Sequence, residues 1–195
     1  MVADRDAATT ARAPVLIAGG GPAGLALALM LAHRRVASTV LDARPLDAAR
    51  ADPRLLALSR GTLRMLQPLA VLRAEALAAI RHVVVSSAGE FGRVRIGTDD
   101  VPAGAAGEPL GATVRYADLV LPLAEACDRQ PLVTVRRPCR VQAVRQQPQQ
   151  VLADVAATDG DASEALAGSL LVHAEGGADP RTSADRAAGA RSDFG

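Results

Sequence analysis

The stretch Val15-Leu16-Ile17-Ala18-Gly19-Gly20-Gly21-Pro22-Ala23-Gly24 decides the fold. Four apolar residues that stop at three glycines read as a short strand buried on both faces, the kind found in parallel sheets. Pro22 stands where a first helical residue would be, a position with no useful N–H to lose. Leu25 to Ala32 continues as a helix of Ala and Leu. His33, Arg34 and Arg35 crowd its C-terminal end, where positive charge suits the helix dipole. Val36 to Leu41 is then a second strand, closing at Asp42. Strand, helix and strand make a complete βαβ unit, which predicts an α/β domain built on a parallel sheet.

The chemistry of residues 19–24 is backbone chemistry. Gly19 permits the tight turn out of the strand, Gly21 lets a pyrophosphate approach the main chain, and Gly24 lets the helix pack close to the sheet. Pro22 and Ala23 open the helix, whose first free N–H groups face the phosphates. Asp42 ends the second strand at the spacing of ~20 residues where a carboxylate accepts hydrogen bonds from a ribose. A carboxylate there favours a free 2′-hydroxyl over a 2′-phosphate. The pattern predicts an adenine-dinucleotide site, with NAD and FAD both open on this unit alone.

The rest of the chain favours FAD. An NAD domain continues with further strand–helix repeats. Here a polar stretch over 43–53 is followed by Leu55 to Leu72, which reads as a helix with Leu55, Leu58, Leu63, Leu66 and Leu69 near one face. Arg81 to Ser87 and Arg93 to Ile96 read as a pair of strands, and Thr98 to Gly111 as a loop rich in Gly, Ala and Pro. Tyr116 to Arg129 returns to helix despite Pro122. Leu132 to Arg136, Arg140 to Arg145 and Val151 to Ala157 read as successive strands, with a turn at Asp159-Gly160. Ser169 to Ala174 is another buried-type strand, ending at Glu175-Gly176-Gly177. The expected fold is a Rossmann-like FAD-binding domain whose parallel sheet is joined by a β-meander.

Composition narrows the classes. The chain has 195 residues, 49% of them hydrophobic, and a formal net charge of +1, so nothing in the charge balance points to nucleic acid. Cys127 and Cys139 lack metal-ligand spacing and read as free thiols of a reducing cytoplasm. No apolar stretch reaches the ~20 residues of a membrane span. His33, His82 and His173 are placed with no plausible nucleophile or metal set. The chain has no Trp, one Tyr and two Phe, sparse for a self-contained pocket that holds a large ring.

Four segments resemble the N-terminal half of the FAD-dependent aromatic-ring hydroxylases, the p-hydroxybenzoate hydroxylase-like flavoprotein monooxygenases, over roughly residues 13–180. The first is Val15 to Gly24 with Asp42. The second is Asp52 to Leu66, where Arg54 and the run Ala57-Leu58-Ser59-Arg60-Gly61-Thr62 look closest to the ubiquinone-biosynthesis branch. The third is Val114 to Leu119, and the fourth is Leu170 to Gly177. The resemblance implies that Arg54 lies along FAD near the pyrophosphate and that Arg115, or Tyr116 by a one-residue shift, lies near the flavin. It implies that Glu175 and Gly176 take the place of an Ala-Asp-Gly fingerprint serving both FAD and NADPH. Glu175 is one methylene longer than the family's Asp, and Ser183 and Arg186 only loosely echo the residues that follow it.

The implied reaction uses NAD(P)H as reductant and O2 as co-substrate, and places one oxygen atom on an aromatic ring. The implied substrate is a polyprenylated phenol of ubiquinone synthesis. No side chain of this chain is expected to act as a nucleophile. The expected location is the cytoplasm, with peripheral association at the inner membrane or with a ubiquinone-synthesis complex. The expected layout is a disordered lead-in over 1–12, a discontinuous FAD-binding domain over 13–80 and 112–180, a partial substrate-domain segment over 81–111, and an irregular tail over 181–195. On this reading the family's later Gly-Asp motif falls outside the chain, which looks like the cofactor half of a longer enzyme. The rivals are an inactive nucleotide-binding remnant, another FAD-dependent oxidoreductase or cyclase of the same fold, and a plain NAD module.

Overall fold

The computed structural model describes residues 13–86, 92–101, 107–157 and 163–176. The lead-in, the turn at 159–160, Gly177, Ser183, Arg186 and the tail lie outside these residues.

The apolar run forms β1 (Val15–Ala18), buried at every position, and the helix α1 (Pro22–His33) follows directly. Leu25 and Ala28 of α1 are fully buried against the sheet, and burying a leucine side chain contributes ~1.5–3 kcal/mol. Arg34 and Arg35 end the helix, and Arg35 turns the chain with φ +59°. That turn delays the second strand, so β2 runs Ser38–Leu41 and starts two residues later than the apolar pattern suggests. Asp47–Arg50 adds a single turn, α2.

Residues 55–72 depart from the expected helix. Leu55–Ser59 is a strand, β3, and the α-helix is confined to Arg60–Leu66, α3, which ends in a 3-10 turn over Gln67–Leu69. Leucine spacing near 3.6 residues is compatible with a helix, but a partner strand outweighs local propensity. β3 pairs antiparallel with β7 (Gly111–Arg115), a strand between the loop expected to end at Gly111 and the helix expected from Tyr116. Ser59 then caps α3 by accepting a hydrogen bond from the Thr62 N–H at 3.2 Å, which fixes where strand gives way to helix. β4 (Ala78–Ile80) pairs with the other edge of β7. β5 (His82–Ser86) and β6 (Arg93–Gly97) form the expected antiparallel pair as a sheet of their own, with Val84, Val85 and Val94 exposed.

The helix α4 (Tyr116–Asp128) runs through Pro122 and lays Leu119, Val120, Leu123 and Cys127 against α1 and the sheet. The bond lost at Pro122 is that to the Asp118 carbonyl, on a residue exposed to water. β8 (Val133–Arg136) joins the parallel sheet, whose order is β12-β1-β2-β8. β9 (Cys139–Gln146), β10 (Val151–Ala157) and β11 (Ser163–Gly168) form the antiparallel meander, and β12 (Leu170–His173) returns beside β1. β11 was not anticipated from the sequence, because Ser163-Glu164-Ala165-Leu166-Ala167-Gly168 has little apolar alternation.

The two layers share the parallel sheet. Val15, Ile17 and Val40 face α1 and α4, while Leu16 and Leu41 face the meander residues Val151, Ala153 and Val155. The fold is thus a mixed α/β domain with a parallel sheet of the Rossmann-like kind.

A candidate dinucleotide cleft at the Gly-rich turn

The turn 19–24 leaves the C-terminal end of β1 next to those of β2 and β12, where open α/β sheets bind ligands. It is fastened on both sides. The Gly19 N–H donates to the Leu41 carbonyl at 2.7 Å, and the Ala174 N–H donates to the Ala18 carbonyl at 2.7 Å.

Each glycine here has its own reason. Gly19 adopts φ +109°, a conformation that side chains disfavour, and a Cβ there would run into the Ala174 backbone. A Cβ on Gly20 would meet Asp42 Oδ2 at 2.7 Å and the Arg137 guanidinium. A Cβ on Gly24 would fall on the Gly19 carbonyl oxygen, with Ile17 Cγ2 at 3.3 Å, so Gly24 sets how closely α1 lies on β1. Gly21 is different. Its φ is −78°, open to any residue, and a Cβ would meet only the Tyr116 hydroxyl, at an ordinary 3.5 Å. Nothing among the described residues requires glycine at Gly21, and it faces the open cleft.

That cleft has a volume of about 470 Å³. Gly19, Gly20, Gly21, Pro22 and Ala23 line one wall, and Asp42, Arg44, Arg54 and Tyr116 stand around it. Cys139, Arg140 and Val141 of β9 and the segment Ala174-Glu175-Gly176 complete it. The first backbone bond of α1 runs from the Leu25 N–H to the Gly21 carbonyl at 3.0 Å, so the N–H groups of Ala23 and Gly24 have no helical partner. Asp42 is buried, 8% exposed. Its Oδ2 accepts from the Gly20 N–H at 3.1 Å, and its Oδ1 accepts from the Arg44 N–H at 3.0 Å. Each carboxylate oxygen keeps further acceptor capacity.

The cations are arranged around the only tyrosine. Arg44 donates from Nη2 to the Tyr116 hydroxyl at 3.1 Å, and the Arg54 guanidinium lies over the Tyr116 ring at 4.4 Å from its centre. Asp52 holds Arg54 from the far side, accepting from Nε at 2.8 Å and Nη2 at 2.6 Å. The Arg54 bond keeps the Asp52 carboxyl down at about 2, and Asp52 in turn raises the Arg54 pKa. Glu175 is exposed, with Oε2 3.6 Å from His173 Nδ1.

The structure therefore gathers Gly19, Gly21, Pro22, Ala23, Asp42, Arg54, Glu175 and Gly176 at one cleft, with Gly24 behind them as a packing residue. Arg115 is not among the lining residues. It is the exposed last residue of β7, and Tyr116 takes the place at the cleft. Arg44 and Arg137 were not anticipated. Arg44 follows Asp42 by two residues and had a local signal in its place after the second strand; Arg137 had none.

These residues fit the ADP half of FAD. They offer a glycine with no internal reason to be one, free N–H groups at a helix start, a buried carboxylate and two arginines. Fold and cleft define a dinucleotide-binding domain of the flavoprotein type. The chain belongs to the FAD binding domain family, whose pattern matches residues 12–188. Among curated proteins, none matches the chain.

Solved structures share the fold. The Diels–Alderase PyrE3 of pyrroindomycin biosynthesis is 27% identical with a TM-score of 0.65, over 84% of this chain and 32% of that one. The substrate-free rebeccamycin biosynthetic enzyme RebC is 26% identical with a TM-score of 0.63, over 89% and 35%. The p-nitrophenol 4-monooxygenase PnpA from Pseudomonas putida DLL-E4 is 20% identical with a TM-score of 0.68, over 85% and 41%. The chain thus spans between about a third and two fifths of the length of these proteins. Among the described residues no helix is long and apolar enough to cross a membrane, and no cluster of His, Cys, Asp and Glu is set to hold a metal.

Proposed function

We propose that this chain is the cofactor-holding part of an NAD(P)H-dependent flavin monooxygenase that hydroxylates an aromatic ring. The observation that carries the reading is Gly21, a glycine without internal cause at the mouth of a cleft that also presents Asp42 and Arg54. FAD, when bound, supplies the redox and oxygen-transfer chemistry. The residues here bind and orient it. The Gly21 backbone and the N–H groups of Ala23 and Gly24 take the pyrophosphate, Asp42 takes the adenosine ribose, and Arg44 and Arg54 balance the phosphate charge. Tyr116, rather than Arg115, faces the cofactor from the start of α4, and Glu175 and Gly176 serve the reductant side, with NAD(P)H as electron donor.

The substrate class in this reading is a polyprenylated phenol of ubiquinone synthesis, consistent with the Ala-Leu-Ser-Arg-Gly-Thr run at 57–62. A substrate of that kind would bring a cytoplasmic enzyme to the inner-membrane surface, or to a ubiquinone-synthesis complex, as a peripheral partner. PyrE3 favours a second reading, because a Diels–Alderase shares this fold at 27% identity. A flavoprotein cyclase is then the alternative.

Two measurements test the reading. Titration of the chain with FAD should quench flavin fluorescence and shift the flavin's visible band; no change would end the FAD reading. The full-length protein should consume NAD(P)H and O2 and return a ring-hydroxylated prenyl phenol. Consumption of both without a hydroxylated product would remove the hydroxylase assignment and leave the cofactor site standing.

A further inference from the structure

The middle glycine of the turn, Gly20, occupies a position that the dinucleotide pattern leaves free. In this protein it is closed to side chains by two groups, Asp42 and Arg137. Arg137 follows β8, and its side chain turns in beneath the Gly-rich loop, where only 11% of it stays exposed. Its Nη2 donates to the Gly20 carbonyl at 2.5 Å and lies 3.6 Å from Asp42 Oδ2. Its Nε is buried with no partner among the described residues. Asp42 Oδ2 in turn accepts from the Gly20 N–H. The N–H and the carbonyl of one residue are thus both held by a single acid–base pair.

An arginine whose side chain is largely withdrawn from water, with one nitrogen unpaired among the described residues, costs stability, so its retention calls for a reason outside core packing. The geometry supplies one. Arg137 touches none of the cleft's open wall; it reaches the site through Asp42 and Gly20. It also stands behind the Asp42 carboxylate as a countercharge at 3.6 Å, while Oδ1 stays turned toward Arg44.

We infer that Arg137 is a positioning residue for the adenosine end of the FAD site, locking the Asp42 carboxylate and the Gly20 peptide into one rigid unit. The inference rests on the FAD reading of the cleft. It deepens that reading by naming a residue that sets affinity without touching the cofactor.

The test is a double-mutant cycle on FAD binding, with thermal unfolding recorded for each variant. Arg137→Met should weaken FAD at least tenfold. Asp42→Asn should weaken it by a similar factor. The double variant Asp42→Asn/Arg137→Met removes both charges, so it leaves no unpaired ion to disturb folding. Its affinity should match that of Asp42→Asn alone, because Asp42 and Arg137 hold the Gly20 peptide as one unit and the loss of either releases it. A purely structural role would instead lower the melting temperature of Arg137→Met and leave its FAD affinity within twofold of the parent, which overturns the inference. Losses that multiply in the double variant overturn it as well. Failure of the unaltered chain to bind any FAD removes the underlying reading, and this inference with it.

Discussion

Gly21 and Gly24 belong to the same fingerprint, yet the structure expects opposite results from the same substitution. In Gly24→Ala, exchanging glycine for alanine inside a helix favours folding by ~1 kcal/mol. Against this, the new Cβ falls on the Gly19 carbonyl oxygen, with Ile17 Cγ2 already at 3.3 Å. Neither obstacle is the flexible tip of a side chain, so α1 must lift away from β1. Overpacking of this kind costs ~1–3 kcal/mol, here toward the upper end, which leaves a net loss of about 2 kcal/mol. In Gly21→Ala the backbone is already at φ −78° and the Cβ meets only the Tyr116 hydroxyl at 3.5 Å. Alanine there restricts the unfolded chain and should stabilise by ~0.4–1 kcal/mol. Yet the methyl stands where the pyrophosphate would approach, and FAD affinity should fall tenfold or more, ~1.4 kcal/mol. Urea unfolding and FAD titration on both variants decide the matter. A Gly24→Ala protein as stable as the parent would refute the packing argument. A Gly21→Ala protein that binds FAD normally would refute the cradle.

Other outcomes follow from the same geometry. Tyr116→Phe removes the hydroxyl that accepts from Arg44 and keeps the ring beneath Arg54. It should weaken FAD by a few-fold, and a further change of the ring to leucine should weaken it more; equal affinities would show that the ring holds nothing. The Cys127 thiol is pushed up to about 12 by burial, and burial also raises Cys139. Both should resist Ellman's reagent at neutral pH and react once urea unfolds the chain, whereas fast labelling of the folded protein would contradict their burial. The Asp52 carboxyl is held at about 2 by its bond to Arg54, below the ordinary 3.8. The ion pair's contribution is therefore present above about pH 4 and fades as the pH falls through 2. A carboxyl titration followed by NMR should show this midpoint, and one near 4 would mean that Arg54 is not clamped.

The front of the domain was legible because its signals are local. Val15 to Ala18, the glycines and Pro22 state their roles within a few residues of one another, and Asp42 states its own by ending the next strand. Arg81 to Ile96 and the strands after Leu132, β11 excepted, were also readable from short apolar runs. Leu55 to Ser59 misled because leucines spaced for a helix face can equally line a strand, and the pairing with Gly111 to Arg115 decided between them. Those five residues gave no warning of their own, since Gly111 and Ala112 look like the end of a loop. Arg54 was placed through resemblance, but its platform on Tyr116 joins two segments that no spacing rule connects. Arg137 was out of reach altogether: its partner Gly20 lies 117 positions earlier.

The position of β12 at the edge beside β1 bears on how the molecule comes to be. During synthesis the Gly-rich turn emerges well before β12, together with α1 and β2, yet its far side is the backbone at Ala174. Until β12 docks, the Gly19 peptide lacks one wall and the cleft has no floor at Glu175. A contact spanning that much chain closes slowly, because the loop entropy must be met before the pairing rewards it. Cofactor capture should then be a late step, and FAD added during refolding should speed the approach to the native state only after the meander has formed.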